Sequence, residues 1–343
     1  MFQRILFGIC VGCGFLMASA QAEESLLGLP GPSDPGRPGA VVLHGGGAIT
    51  EDVFERFVEL AGGKNARIVF VPSAGYRVAD YRTEAEFLGV VSRRYGSWTG
   101  LKTSGRIRQF SFLYTDDPED ADDPNFVKPL ETATGVWFSG GSQSRLNYRF
   151  VGEFPRQTRF QELLQKVLTK GGVVGGTSAG TAAMPEIMTL WEDRDYDGAP
   201  ARAVAAHGLG LFGRAIVEQH FDARGGRLER FTNLLRDNDR LDRLTGRPGS
   251  GIQMCGIAVE EPAALVVRGN QLSVLGRGNA HVFLKSHGGR TLTWHEMKSG
   301  DTAVLHRTPQ QEVAISTAHR FPEKHRTYAC GARLGMKLRH TGR

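Results

Sequence analysis

Cysteine is scarce in this sequence, and no spacing typical of metal ligands is present. Only four cysteines occur among 343 residues, and Cys10 and Cys13 lie in an N-terminal segment that we expect to be removed. The remaining pair, Cys255 and Cys330, cannot supply the four ligands of a structural zinc site. In an oxidising compartment such a pair can form a disulfide, and the sequence leaves this pairing and two separate buried thiols as open alternatives.

Signals of several other protein classes are missing too. The sequence has no internal repeat and no long low-complexity segment. The net charge of +6 is small for the length, and lysine and arginine form no dense block flanked by aromatic residues, which argues against nucleic-acid binding. No Gly-Lys-Ser or Gly-Lys-Thr follows the main glycine-rich turn, so that turn is not a phosphate-binding Walker loop.

Residues 1–22 are predicted to be a signal peptide. Arg4 supplies the positive charge, an apolar stretch spans residues 5–17, and residues 20–22 (Ala-Gln-Ala) are a typical cleavage site. The apolar stretch is too short for a membrane span, although a retained N-terminal anchor is the alternative. We therefore expect a secreted or periplasmic protein with no membrane attachment after cleavage. Residues 23–39, rich in proline and glycine, are predicted to be a linker or an extended arm.

Short apolar runs that alternate with segments of helical period predict an α/β domain over residues 40–285. Such runs occur at residues 40–43, 67–71, 136–138 and 173–174. Their pattern favours a mostly parallel sheet flanked by helices, with the ligand site at the carboxyl ends of the strands. Beyond about residue 255 short strands separated by turns predominate. We predict that residues 286–343 form a β-rich C-terminal extension packed on the same core.

The strongest chemical signal is the turn Gly-Gly-Thr-Ser-Ala-Gly at residues 175–180. A buried strand leads into Ser178, and small residues flank it, which is typical of the G-x-S-x-G nucleophile elbow. A glycine-rich turn that only packs or binds phosphate is the alternative. The backbone N–H of Ala179 and that of Gly140 or Gly141, in a second glycine turn, could together stabilise an oxyanion.

A serine nucleophile needs a base and a carboxylate that orients it. His220 is the leading candidate base, since it ends the predicted strand 216–220 beside other polar residues, and His44 competes because it also ends a strand beside glycines. His207 and His281 are weaker candidates. The residues alone leave the carboxylate open among Glu192, Asp193, Glu218, Glu260 and Glu261.

Taken together and in order, the motifs resemble the cyanophycinase family of serine peptidases. The matching segments are residues 138–143, 175–180 with Met184-Pro185, 208–211, 218–221, Arg224, Arg227-Leu228 and 256–261. The resemblance spans roughly residues 40–285. It extends to the related aspartyl dipeptidases and implies a class I glutamine-amidotransferase-like, flavodoxin-like fold.

This resemblance implies a role for each matching residue. Ser178 would be the nucleophile, His220 the base and Glu261 the third member of the triad, with Glu192 or Asp193 as alternatives taken from the dipeptidases. Gly141 and Ala179 would hold the oxyanion. The substrate pocket would contain Gln143, Glu218, Gln219, Arg224 and Arg227, with Glu218 facing a substrate guanidinium and the arginines facing aspartate carboxylates.

The function implied is hydrolysis of cyanophycin to β-aspartyl-arginine dipeptides, without a metal or organic cofactor. The partners are then cyanophycin or an aspartyl peptide, with no nucleic acid, and a homodimer is one possible assembly. Departures from the family pattern at Ser142, Glu218 and Gly226, where an expected arginine is missing, concern the pocket. An aspartyl or isoaspartyl dipeptidase and a non-catalytic arginine-peptide binding protein are therefore kept as alternatives.

Overall fold

A computed structural model describes residues 25–33, 38–193, 202–286, 288–289, 291–317 and 326–329. The predicted signal peptide and Cys330 lie outside these ranges. In chain order the strands are β1 Ala40–His44, β2 Arg67–Val71, β3 Gln109–Phe112, β4 Gly135–Phe138, β5 Val173–Thr177, β6 Ile187–Asp193, β7 Arg202–His207, β8 Ala215–Gln219, β9 Cys255–Val259, β10 Ala263–Arg268, β11 Gln271–Gly276, β12 Asn279–Lys285, β13 Thr291–Lys298, β14 Thr302–Arg307, β15 Val313–Thr317 and β16 Arg326–Ala329.

Helices cover the sheets and connect the parallel strands. In chain order they are α1 Glu51–Leu60, α2 Glu84–Arg94, α3 Gly96–Thr103, α4 Pro124–Glu131, α5 Gln143–Phe150, α6 Arg159–Thr169, α7 Ala179–Ala182, α8 Arg227–Arg236, α9 Asn238–Thr245 and α10 Ser250–Gln253. Among the residues described, none of these helices is long and apolar enough to cross a membrane.

The largest sheet has the strand order β15-β14-β11-β10-β1-β5-β4-β2-β3. Its half from β1 to β3 is parallel, and the half from β10 to β15 is antiparallel. Every residue of β1 is buried, as expected for a parallel strand with both faces covered. The architecture confirms the predicted α/β class, with a mostly parallel centre and antiparallel strands toward the C-terminus.

A second sheet has the order β16-β13-β12-β9-β8, in which only β8 and β9 are parallel. A separate hairpin is formed by β6 and β7. Strands beyond residue 286 join both sheets, because β14 pairs with β11 and β13 pairs with β12. The described strands of the predicted C-terminal extension are thus continuous with the sheets of the main body.

The described part of segment 23–39 packs on the main body. Leu26 and Leu27 are buried in the core, the Leu26 N–H donates to Asn270 Oδ1 at 2.7 Å, and the Gly213 N–H donates to the Gly28 carbonyl at 3.1 Å. Cys255 is a buried thiol at the start of β9, and burial raises its pKa to about 11. Cys330 is not among the described residues, so both alternatives for this cysteine pair stay as the sequence leaves them.

Candidate active site

The candidate active site lies where the carboxyl ends of two parallel strand pairs meet. In the larger sheet, His44 at the end of β1 is in register with Thr177 at the end of β5. In the second sheet, Gln219 at the end of β8 is in register with Val259 at the end of β9. The His220 N–H donates to the Gly45 carbonyl at 2.9 Å and so connects the two edges.

Ser178 occupies a sharp turn between β5 and α7. Its backbone angles, φ 53° and ψ −116°, belong to a region that non-glycine residues rarely adopt. The flanking glycines are required by close packing, because a Cβ on Gly176 would lie 2.7 Å from the Gly180 carbonyl carbon and a Cβ on Gly180 would lie 2.7 Å from the Phe138 oxygen. The turn therefore has the local geometry expected of a nucleophile elbow.

Three side chains form a hydrogen-bonded chain at this edge. Ser178 Oγ lies 2.6 Å from His220 Nε2, and His220 Nδ1 makes a short hydrogen bond to Glu261 Oε1. The Glu261 backbone N–H donates to Asp222 Oδ1 at 3.0 Å, which holds the segment carrying the carboxylate. A hydroxyl, an imidazole and a carboxylate in this order have the arrangement of a serine-hydrolase triad.

The second glycine turn lies directly against Ser178. A Cβ built on Gly140 would come 3.3 Å from the Ser178 Cβ. Gly141 has φ 146°, and a Cβ there would lie 2.1 Å from the Ala74 carbonyl oxygen, so only glycine fits. Ala179 is the first residue of α7. The two backbone segments predicted to form an oxyanion hole are therefore adjacent to the Ser178 turn.

Burial lowers the pKa of His220, and the positive charges of Arg224 and Arg227 lower it further. The hydrogen bond that His220 donates to Glu261 raises this pKa, but the balance stays below the ordinary value. The imidazole is consequently neutral at neutral pH, which is the form that can accept a proton from Ser178.

Activity should therefore persist below the ordinary imidazole pKa of about 6.5 and fall only at lower pH. Arg224→Met removes one of the charges that lower the pKa of His220, so the acidic limb of kcat/KM should move to higher pH. A pH profile of kcat/KM for the two proteins checks this. An acidic limb that stays in place, or moves to lower pH, would contradict the charge assignment.

The glycine turn after β1 packs against the imidazole. A Cβ on Gly46 would lie 2.2 Å from His220 Cε1, and one on Gly47 would lie 3.0 Å from Glu261 Oε2. Any side chain at position 46 must therefore displace the ring of His220. In the sequence, the run of three glycines after His44 predicts a turn at the ligand edge of the sheet, but not the contact with His220.

Gly46→Ala should lower kcat by about 100-fold or more, because a shift of about 1 Å in a catalytic group has an effect of that order. Steady-state kinetics measures the loss. Gly105→Ala is the matched control, since Gly105 also has a positive φ, of 71°, but a Cβ there meets nothing within 4 Å. Equal losses in both variants would mean that backbone strain, and not contact with His220, is responsible.

The other histidines have different partners. His44 is fully buried, with Nδ1 2.8 Å from Thr177 Oγ1, and burial together with the nearby His220 lowers its pKa to about 4. The His207 ring Nε2 lies 2.8 Å from the Leu244 carbonyl oxygen, and His281 pairs with Glu260 at 2.9 Å. Of the candidate bases, His220 is the one that the structure places on Ser178 Oγ.

The candidate carboxylates also differ in the side chains that they contact. Glu261 contacts His220, Glu260 contacts His281, and Glu218 contacts two arginines. Glu192 and Asp193 end strand β6, and their side chains lie outside the described part of the structure.

Glu218 belongs to a buried ion cluster. Its Oε1 accepts from Arg227 Nη1 at 2.7 Å and from Arg230 Nη2 at 2.8 Å, and its Oε2 accepts from Arg230 Nε at 2.9 Å. Glu218 is 1% exposed and both arginines are below 10%. Because protein donors already occupy both oxygens, Glu218 is not positioned to receive a substrate guanidinium as the resemblance implied. Arg230 was not predicted, although it follows Arg227 by three residues on one face of α8.

Glu218→Ala should destabilise the protein by roughly 3–5 kcal/mol, because it leaves two buried guanidinium groups without their carboxylate. Chemical denaturation measures the free energy of unfolding. Glu186→Ala is the matched control, since Glu186 also pairs with an arginine, Arg247, whose side chain is 51% exposed. We expect a loss of about 1 kcal/mol or less there. A similarly small loss for Glu218→Ala would show that the cluster contributes little to folding.

The remaining residues predicted for the substrate pocket differ in their burial and in their hydrogen-bond partners. Gln143 is buried at the start of α5, and its Nε2 donates to the carbonyls of Thr189 and Leu190 at 3.0 and 2.9 Å. This side chain therefore anchors strand β6. Gln219 is buried beside His220. Arg224 is exposed, and its N–H donates to the His220 carbonyl at 3.3 Å.

Comparison with known proteins gives consistent results. The model of the family described as peptidase family S51 matches residues 41–275. A cyanophycinase of Synechococcus elongatus is 28% identical over 256 residues, which are 72% of this chain and 68% of that protein. A cyanophycinase of Geminocystis herdmanii is 24% identical over 233 residues, 68% of this chain and 74% of that protein.

Among solved structures, a peptidase from an acI-B1 Actinobacterium superposes with a TM-score of 0.51. The two proteins are 20% identical in sequence, and the match covers 78% of this chain and 97% of that one. This likeness shows that the fold is shared.

Proposed function

The chain belongs to peptidase family S51, and we propose that it hydrolyses cyanophycin with Ser178 as nucleophile, His220 as base and Glu261 as the orienting carboxylate. The family confirms that the protein is a serine peptidase of cyanophycinase-like type, as the resemblance predicted. The observation that carries the residue assignment is the continuous hydrogen-bonded chain from Ser178 Oγ through His220 to Glu261.

The proposed reaction proceeds in two steps. His220 Nε2 takes the Ser178 proton as Oγ attacks the carbonyl carbon of an aspartyl unit, and the resulting imidazolium then protonates the leaving amine. The product of this step is an acyl-enzyme ester on Ser178. His220 next takes a proton from water, the hydroxide attacks the ester, and the proton returns to Ser178. Glu261 stabilises the imidazolium in both steps.

Developing charge on the carbonyl oxygen would be held by the N–H groups of Gly141 and Ala179. The position of their two turns beside Ser178 supports this. Preorganised donors of this kind strengthen their contact as the oxygen gains charge, and therefore lower the barrier to attack.

Cyanophycin is the proposed substrate because the relatives named cyanophycinase match more than two thirds of this chain. Each exopeptidase cycle would release one β-aspartyl-arginine dipeptide. The pattern of residues 1–22 supports export, so we propose that the enzyme acts in the periplasm or outside the cell, on polymer released by other cells.

A second candidate is an aspartyl or isoaspartyl dipeptidase. The buried cluster favours it, since Glu218 is saturated by Arg227 and Arg230 and the two arginines outnumber the carboxylate. Arg224 is exposed and lies close enough to Arg227 to act on it electrostatically, and a guanidinium there suits a substrate carboxylate better than a substrate guanidinium.

Turnover of purified cyanophycin and of a panel of aspartyl and isoaspartyl dipeptides by the mature protein tests both candidates. Mass spectrometry identifies the products, and Ser178→Ala serves as the blank. Release of β-aspartyl-arginine by the wild type alone supports the cyanophycin assignment. Cleavage of the dipeptides without release from the polymer would favour the dipeptidase, and no turnover of any substrate would count against both.

A further inference from the structure

A second histidine–carboxylate pair lies behind the proposed triad. His281, on β12, is 2% exposed, and its Nε2 is 2.9 Å from Oε1 of Glu260, the residue that precedes Glu261. The other oxygen of Glu260 accepts the Asn279 N–H at 2.9 Å. Both carboxylate oxygens are thus tied to β12, which fixes the side chain next to the proposed catalytic carboxylate.

Trp294 fixes the tautomer and the orientation of the His281 ring. The Trp294 Nε1–H lies 2.9 Å from His281 Nδ1, and an indole nitrogen can only donate. In the neutral ring Nδ1 is therefore the acceptor and Nε2 carries the hydrogen that Glu260 receives. This second contact leaves the imidazole one orientation, in which it faces Glu260.

The same ring also contacts the segment that carries His220. Phe221, which follows His220, has its ring centroid 5.1 Å from that of His281 and 6.2 Å from that of Trp294. One buried ring therefore contacts the chain neighbours of both His220 and Glu261. The side chain of Glu261 is itself 29% exposed, so its packing alone does not hold it, and the backbone at 260–261 must.

We propose that His281 is a positioning residue that sets the His220–Glu261 contact by holding Glu260 on one side and Phe221 on the other. This inference rests on the proposed function, because it concerns the geometry of that same triad. Two further contacts support it. The Glu261 N–H is held by Asp222, and a Cβ on Gly45 would lie 2.2 Å from the Glu260 carbonyl oxygen, so the segment is confined on its other sides as well.

A longer distance between His220 and Glu261 would change the pH profile of the enzyme. The charged or titratable groups acting on His220 are Glu261, Arg224 and Arg227, and His44 lies close enough to His220 for each to influence the other. Glu261 is the one that raises the pKa of His220. If Glu261 moves away, this pKa falls, and the acidic limb of kcat/KM moves to lower pH while kcat decreases.

Three variants in the full mature chain test the inference. His281→Leu removes both hydrogen bonds, and His281→Gln keeps an N–H donor for Glu260. Trp294→Phe removes the donor to His281 Nδ1 and keeps an aromatic ring at that position. Rates are normalised to active sites titrated with a serine-reactive phosphonate, so that misfolded protein is not counted. The matched control is His306→Leu, on β14 of the other sheet.

We expect His281→Leu to lower kcat per titrated site by about 10- to 100-fold, with KM little changed, and to move the acidic limb to lower pH. His281→Gln should recover most of the rate, and Trp294→Phe should fall between wild type and His281→Leu. If His281→Leu does not fold, the other two variants still test the proposal. It would be overturned if Trp294→Phe kept the wild-type rate and acidic limb and if Trp294→Phe and His281→Gln did not differ.

A purely structural role gives a different pattern, in which fewer sites titrate but kcat per site and the acidic limb stay at wild-type values. That result would overturn the inference and leave the triad intact. Failure of the proposed function is recognised separately, because Ser178→Ala would then retain turnover.

Discussion

Ser178→Ala should reduce kcat/KM by at least about 10,000-fold on whichever aspartyl substrate the wild type turns over. The reason is that the variant has no atom that can form the acyl-enzyme, while the oxyanion donors and the substrate pocket remain. The methyl group of alanine fits the turn, since the flanking packing is set by Gly176 and Gly180. We therefore expect the residual rate to come from binding and oxyanion contacts alone.

Single-turnover and steady-state assays with mass-spectrometric detection measure this loss. Ser104→Ala is the matched control, because Ser104 follows helix α3 and its Oγ donates to the Gly100 carbonyl at 2.7 Å. Its rate should stay within a few-fold of wild type. Turnover by Ser178→Ala that approaches the wild-type rate would remove Ser178 from the mechanism.

Glu261→Gln should lower kcat by about 10,000-fold, the loss seen when the orienting carboxylate of such a triad becomes an amide. The amide is nearly the same size, so the fold is retained. An amide nitrogen facing His220 Nδ1 would favour the ring tautomer with hydrogen on Nε2, which cannot take the Ser178 proton. The loss of negative charge also removes the stabilisation of the imidazolium.

Steady-state kinetics of Glu261→Gln, Glu192→Gln and Asp193→Asn separates the candidate carboxylates, with the exposed Glu296→Gln as the control for a lost surface charge. We expect the large loss only in Glu261→Gln. A large loss in Glu192→Gln or Asp193→Asn, with Glu261→Gln close to wild type, would transfer the orienting role to that residue.

The strands of the larger sheet were predictable because their signal is local. Runs such as 40–43 and 67–71 are apolar at successive positions, and both faces of a parallel strand are buried. The hairpin of β6 and β7 was not predicted, and neither was the distribution of the C-terminal strands over two sheets. Those features depend on pairing between distant segments, which short-range periodicity does not contain.

The residues of the candidate site also differ in whether short-range sequence pattern could identify them. Ser178 and His220 stood out because each ends a buried strand beside residues that a core does not need. The residues alone did not distinguish Glu261 from Glu260, and only the family resemblance favoured Glu261. The two adjacent carboxylates differ in which histidine they face, and that depends on the second sheet. The Glu218–Arg230 pair spans twelve residues and joins a strand to a helix face, so its mutual neutralisation was invisible in the pattern.

The most direct test of the central claim is labelling of the mature protein with a serine-reactive fluorophosphonate, followed by peptide mass spectrometry. The proposed triad predicts one adduct, on Ser178, which is absent in Ser178→Ala and forms far more slowly in His220→Ala because the base is missing. An adduct on another residue, or labelling at Ser178 that proceeds equally fast without His220, would contradict the assignment of nucleophile and base.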